Sequence, residues 1–172
     1  ALAVAWCVRQ ERRRDRVPIL LYHRFIARED VRAGRVPDDE MIWVCYDDGP
    51  FAETVTIDGY TTDATRFATL TVAGAQQVAS GVSQRHDGTA GTGAVLRPPN
   101  GVLHGISVED AYTVVEWLDV DGVNGMAVNA DGVQAEAGGQ SAILQNLIIH
   151  GLVASHNGIY TSLNGVVIRN CI

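Results

Sequence analysis

From Tyr112 onward, short apolar runs alternate with polar breaks at nearly regular intervals. Ile143-Leu144 is followed by Gln145-Asn146 and then Leu147-Ile148-Ile149, and Val167-Ile168 by Arg169-Asn170 and Cys171-Ile172. The two copies are offset by 24 residues, which superposes Asn146 on Asn170. A third copy, Val114-Val115, Glu116-Trp117, Leu118-Asp119-Val120, Asp121-Gly122, matches Ile143 to Gly151 at an offset of 29 residues. Self-similarity on the scale of about 20–50 residues predicts a solenoid, in which one unit cannot bury its own apolar face and stacking supplies the core. The runs are short, rich in Val, Ile and Leu, and separated by Gly, Asn and Asp, so they predict strands and not helices. Short strands stacked coil upon coil make a parallel β-helix.

The Asn positions suit the corners of such a coil. A sharp turn between strands needs a residue that tolerates left-handed backbone, and Asn is the best candidate after Gly. Asn146 and Asn170 in one corner of successive coils can stack their amides as a ladder. Trp117 falls at the equivalent position one copy earlier and suits that backbone poorly. The ladder is expected to stop there, or the corner to differ.

Earlier in the chain the same reading predicts strands over 17–26, 41–46, 53–58, 68–72 and 94–96, with a weaker one over 106–108. Asp47-Asp48-Gly49-Pro50 is a turn by composition. Residues 74–93 and 130–140 are polar and Gly-rich and read as loops projecting from the stack. Residues 1–40 form an N-terminal segment, irregular or helical, that could cap the first coil; 41–172 are coils. The expected core is Val114, Leu118, Val120, Ile143, Leu147, Ile149, Ile159, Val167 and Ile168. The chain starts at Ala and stops in mid-strand at Ile172, without the cap that a solenoid needs. It is therefore expected to be a fragment, with the rest of its own longer chain as a partner.

The stretch 141–172, together with CYDDGPFAETVTIDGYTTDATRF (45–67), SQRHDGTAGTGAVLRP (83–98) and YTVVEWLDV (112–120), resembles the right-handed parallel β-helix repeats of the pectate-lyase-like superfamily. It is also similar to large secreted or phage- and metagenome-derived β-helix proteins. The resemblance covers about 45–172. It implies an all-β, right-handed parallel β-helix, extracellular or at the cell surface, and says little about activity.

Composition narrows the partners. Hydrophobic content of 47% and a mean hydropathy of +0.05 fit a folded domain more than a disordered one. Residues 1–36 carry nine Arg against four acids, whereas 37–172 carry four Arg against sixteen acids, and there is no lysine. An acidic body argues against nucleic acid, whose phosphates need a basic face, and is compatible with calcium or neutral sugars. The apolar run at 1–10 is too short to span a bilayer. Three cysteines, Cys7, Cys45 and Cys171, set no disulfide framework and no zinc pattern.

Three chemistries compete. VPILLYHR (17–24) and CYDDGP (45–50) resemble the opening motifs of polysaccharide deacetylases, in which Asp47 would be the base and Asp48 a metal ligand. The His-x-x-x-His pair that completes that metal site does not occur here, and the gap from Tyr22-His23 to Asp47 is short, so the likeness implies at most a remnant. The second chemistry is a polysaccharide lyase or glycoside hydrolase of the pectate-lyase-like superfamily. β-Helix lyases hold calcium on acidic side chains, and β-helix glycosidases use clustered carboxylates. Asp119 and Asp121, beside Glu116, alternate with inward Leu118 and Val120 and are expected to face solvent, with His150 one coil away. They are the candidate carbohydrate ligands and the weak candidates for a metal. The third reading is a non-catalytic structural or carbohydrate-interacting module, whose sugar contacts would come from Asp119, Asp121, His150, His156 and Tyr160. The pattern favours this third reading.

Overall fold

The computed structural model describes residues 40–172 except Ala137. The expected cap, the strand-like run 17–26 and His23 lie outside the described residues. Among those described, twelve strands form: β1 (Glu40–Cys45), β2 (Val55–Ile57), β3 (Phe67–Val72), β4 (Val95–Leu96), β5 (His104–Val108), β6 (Thr113–Glu116), β7 (Asp119–Asp121), β8 (Asp131–Ala135), β9 (Ile143–Gln145), β10 (Ile148–His150), β11 (Asn157–Thr161) and β12 (Val167–Arg169). They pair into three sheets, in the orders β1-β3-β6-β9-β12, β10-β7-β4 and β11-β8-β5-β2. Every pairing between them is parallel. From β3 on the chain visits the three sheets in turn, and in the first coil a single bridge from Phe51 to Leu96 stands in for the second-sheet strand, which makes a parallel β-solenoid of about five coils. The fold is all-β, as the repeat predicts.

The register reproduces the sequence repeat. Val114 pairs with Ile143 and Ile143 with Val167, the offsets of 29 and 24 residues. The first corner follows the same register: Trp117, Asn146 and Asn170 all have left-handed backbone, with φ of 64°, 52° and 52°. The Asn170 side-chain amide donates to Asn146 Oδ1 at 3.3 Å, so the ladder forms. It stops at Trp117, whose corner nonetheless has the same backbone. A second corner repeats likewise at Tyr112, Ser141 and Gly165, each with positive φ.

The interior is a set of stacked rows. Leu70, Val115 and Leu144 lie in register on the first sheet, Leu96 and Val120 on the second, and Ile106 and Val133 on the third; all are buried. Each large side chain taken from water there stabilises by about 1.5–3 kcal/mol. Leu118, Val120 and Leu147 are core residues as expected, and Ile149 and Ile159 pack against the core from its margin. Val114, Ile143 and Val167 are not core: with Ile42 and Thr69 they form a row on the outer face, and the inward row lies one residue later. Doublets such as Val114-Val115 and Ile143-Leu144 look alike from either side, and a slip of one residue exchanges the two faces of a strand. Ile168 continues the inward row but, in the last described coil, is 47% exposed.

Two further boundaries change. Residues 130–140, expected as a loop, contain β8, and 74–93 contains a short 3-10 turn at Ala75–Gln77. Asp47–Pro50 is a turn as expected, with Gly49 at φ 95°.

Cys45 packs against the core, and burial pushes its thiol up to about 12. The thiolate is the reactive form, so iodoacetamide at mildly alkaline pH should label Cys171 well before Cys45. Peptide mass mapping that found equal rates would show that the Cys45 thiol is not sheltered.

Candidate functional site

The strands of the second sheet bring the predicted charges together. Val95 pairs with Asp119 and Leu96 with Val120, which places Arg97 beside Asp121 one coil on. His150 pairs with Asp121 from the other side. Alternation turns Val120 inward and both aspartates outward. Arg97 donates from Nε to Asp121 Oδ2 at 2.9 Å, and a terminal guanidinium nitrogen lies 2.8 Å from the same oxygen. The Val123 amide donates to Asp121 Oδ1 at 3.0 Å. His150 Nε2 lies 2.9 Å from Asp119 Oδ1, and its Nδ1 lies 3.7 Å from Asp121 Oδ1. The shorter contact lacks the alignment of a hydrogen bond, so it is read as a close polar contact and not as a directional bond.

The expectation that these aspartates face solvent is corrected. Asp119 is 0% exposed and Asp121 5%. They do point away from the core, but the segment 73–93 reaches Asp119, where the Gly91 amide donates to Oδ2 at 2.5 Å, and Arg97 and the Val123 amide close around Asp121. Nothing in the strand pattern signals that cover; over Asp119 it comes from an insertion far away in sequence. Arg97, Gly91 and Val123 complete the cluster and were not among the sequence-derived candidates. The signal for Arg97 was available, because a cation one coil before Asp121 follows from the register.

This arrangement pairs Asp121 with the fixed cation of Arg97 and sets the His150 ring between two carboxylates. Each ring nitrogen of His150 faces a carboxylate, Nε2 toward Asp119 and Nδ1 toward Asp121. A calcium site needs six to eight oxygen ligands, whereas the Asp121 carboxylate is held by Arg97 and Val123. Among the described residues, no group of three or more His, Cys, Asp or Glu side chains converges to hold a metal.

The other candidates lie apart. His156 is half-buried in the turn before β11, and Tyr160 is 40% exposed on β11. Asp47 and Asp48 are exposed in their turn, where Asp47 Oδ1 accepts the Gly49 amide at 3.4 Å. Glu116 joins a separate ladder on the first sheet: it accepts from the Thr71 hydroxyl at 2.8 Å and the Gln145 amide at 2.6 Å, and Arg169 donates to Gln145 at 2.7 Å.

Tyr160 has a context that the repeat did not reveal. Thr56, Ser107, Gln134 and Tyr160 stand in register on the outer side of the third sheet. Beside them Ser107 donates to Glu109 at 2.9 Å and Gln134 to Glu136 at 3.0 Å. This is a strip of hydroxyl, amide and phenol groups flanked by the Glu109 and Glu136 carboxylates, repeating at the coil spacing of about 4.8 Å. No family model, curated protein or solved structure matches the chain.

Proposed function

We propose that this β-solenoid is an extracellular structural module that contacts glycans through the outer face of its third sheet, without catalysis. The observation that carries the reading is the in-register row Thr56, Ser107, Gln134 and exposed Tyr160. Hydroxyl and amide groups at a fixed repeat match the donors and acceptors of a sugar chain, and an exposed phenol can stack on a sugar ring. The acidic charge of residues 37–172 favours neutral over anionic polysaccharides.

The alternative, a lyase or hydrolase of the pectate-lyase-like superfamily, would rest on Asp119, Asp121 and His150. Their atoms are engaged with one another, with Arg97 and with the covering segment, which favours the scaffold.

Affinity electrophoresis through a panel of neutral and acidic polysaccharides tests the proposal. At least one neutral gel should retard the protein, and Tyr160→Ala should weaken that retardation about tenfold, as the loss of one aromatic contact does. Equal mobility in every gel would overturn it, and so would release of reducing or unsaturated ends from any of these polymers.

A further inference from the structure

The segment that covers Asp119 does more than cover it. Residues 73–93 are inserted at the corner between the first and second sheets, in the coil of β3, β4 and β5. Simple solenoid coils touch only their neighbours; this insertion touches four coils. Toward the first coil, Tyr46 donates from its hydroxyl to Gln77 O at 3.3 Å, and the Asp47 amide donates to Gln84 Oε1 at 3.1 Å. In its own coil, Arg85 Nε donates to Val72 O at 3.2 Å, and the Gln84 amide donates to Ala73 O at 2.9 Å. On the third coil the Arg85 guanidinium sits 4.9 Å over the Trp117 ring and 3.8 Å from Glu116, and Gly91 holds Asp119. On the fourth, His86 Nε2 lies 2.6 Å from Asn146 O, and the buried His86 ring packs against Trp117 at 5.5 Å.

Trp117 is the anomaly that gives this contact set its meaning. Asn holds the same corner in the next two coils, and a bulky side chain at positive φ is strained. The Trp corner is nevertheless formed, and its indole is the surface on which Arg85 and His86 meet. Asp87, next in the segment, has its carboxyl held below the usual range by the Thr89 amide first, then by the Thr89 and Thr92 hydroxyls, so the segment is internally braced.

We infer that residues 73–93 are a longitudinal strap that couples coils one to four into one cooperative unit, and that Trp117 is its docking post. Cooperativity in a solenoid otherwise depends on nearest-neighbour interfaces alone, so the strap should show in how openings are shared along the stack.

Native-state hydrogen exchange on the full chain tests this. The Gly91 and Gln84 amides report the strap, and the Ile148 amide, bonded to Leu118 O, reports the fourth coil. Arg85→Ala removes contacts to the second and third coils; because Glu116 also bonds Gln145 of the fourth coil, the substitution is repeated in a Gln145→Ala background, where an effect on Ile148 carried by the strap persists. Arg85→Ala should raise exchange at Gly91, Gln84 and Ile148 about tenfold together. Trp117→Asn should relieve the corner and extend the Asn ladder, yet still release Gly91 and Gln84. Strap amides released with Ile148 unchanged by Arg85→Ala, alone or in the Gln145→Ala background, would overturn the coupling, and unchanged strap amides in Trp117→Asn would overturn the docking post.

Discussion

Gly132→Ala should destabilise the fold by about 3 kcal/mol, read as a lower urea midpoint with an unchanged slope. A Cβ built on Gly132 would lie 2.4 Å from Ile149 Cγ2 and 2.7 Å from the carbonyl oxygen of Gly158. The second of these atoms is backbone of the next coil and cannot swing aside. Relief would require widening the coil spacing, which the parallel ladder holds near 4.8 Å. Gly105 meets the same obstacle one coil earlier, with Gly132 O at 2.7 Å. Gly158, at the equivalent position in the fourth coil, would place its Cβ 3.9 Å from Ile149 Cγ2, an ordinary contact. Gly158→Ala should therefore stay within about 1 kcal/mol of the parent. If both substitutions had the same effect, the close approach of coils at this corner would be wrong.

That glycine column also shows where the sequence was legible and where it was not. His104-Gly105-Ile106, Asp131-Gly132-Val133 and Asn157-Gly158-Ile159 are three copies of one pattern in register. They were readable in principle, but the first residue varies and a single small residue carries the constraint. Runs of Val, Ile and Leu announce themselves, and they led directly to the solenoid, the coil offsets and the Asn146–Asn170 ladder. The same runs misled on which face is inside, because Val114-Val115 and Ile143-Leu144 carry no polar residue to break the tie; the inward members are Val115 and Leu144. At the candidate site, alternation gave the outward direction of Asp119 and Asp121 correctly. It could not give the burial of Asp119, which depends on a strap inserted between β3 and β4 whose anchors, Arg85, His86 and Gly91, have no periodicity. Local pattern records which way a side chain leaves its strand, and long-range contact decides what it meets there.

His150→Ala should cost the fold about 1–2 kcal/mol, the range for leaving a buried polar group without a partner, since the imidazole is 34% exposed. Asp119 is 0% exposed, and with the imidazole gone its carboxylate would keep only the Gly91 amide. Asp121 would fare better, because Arg97 and the Val123 amide still hold it. The loss should therefore trace to Asp119. Asp119→Asn in the His150→Ala background should recover much of it by removing the uncompensated charge, and a double-mutant cycle should report a coupling of at least about 1 kcal/mol between the two positions. Thermal and urea unfolding would measure both. An active site makes the opposite forecast: removing a catalytic pair leaves stability unchanged or higher and abolishes turnover. A His150→Ala protein as stable as its parent would thus sink the reading of this cluster as a charge clamp between coils, and would return Asp119 and His150 to consideration as catalytic groups beneath the strap.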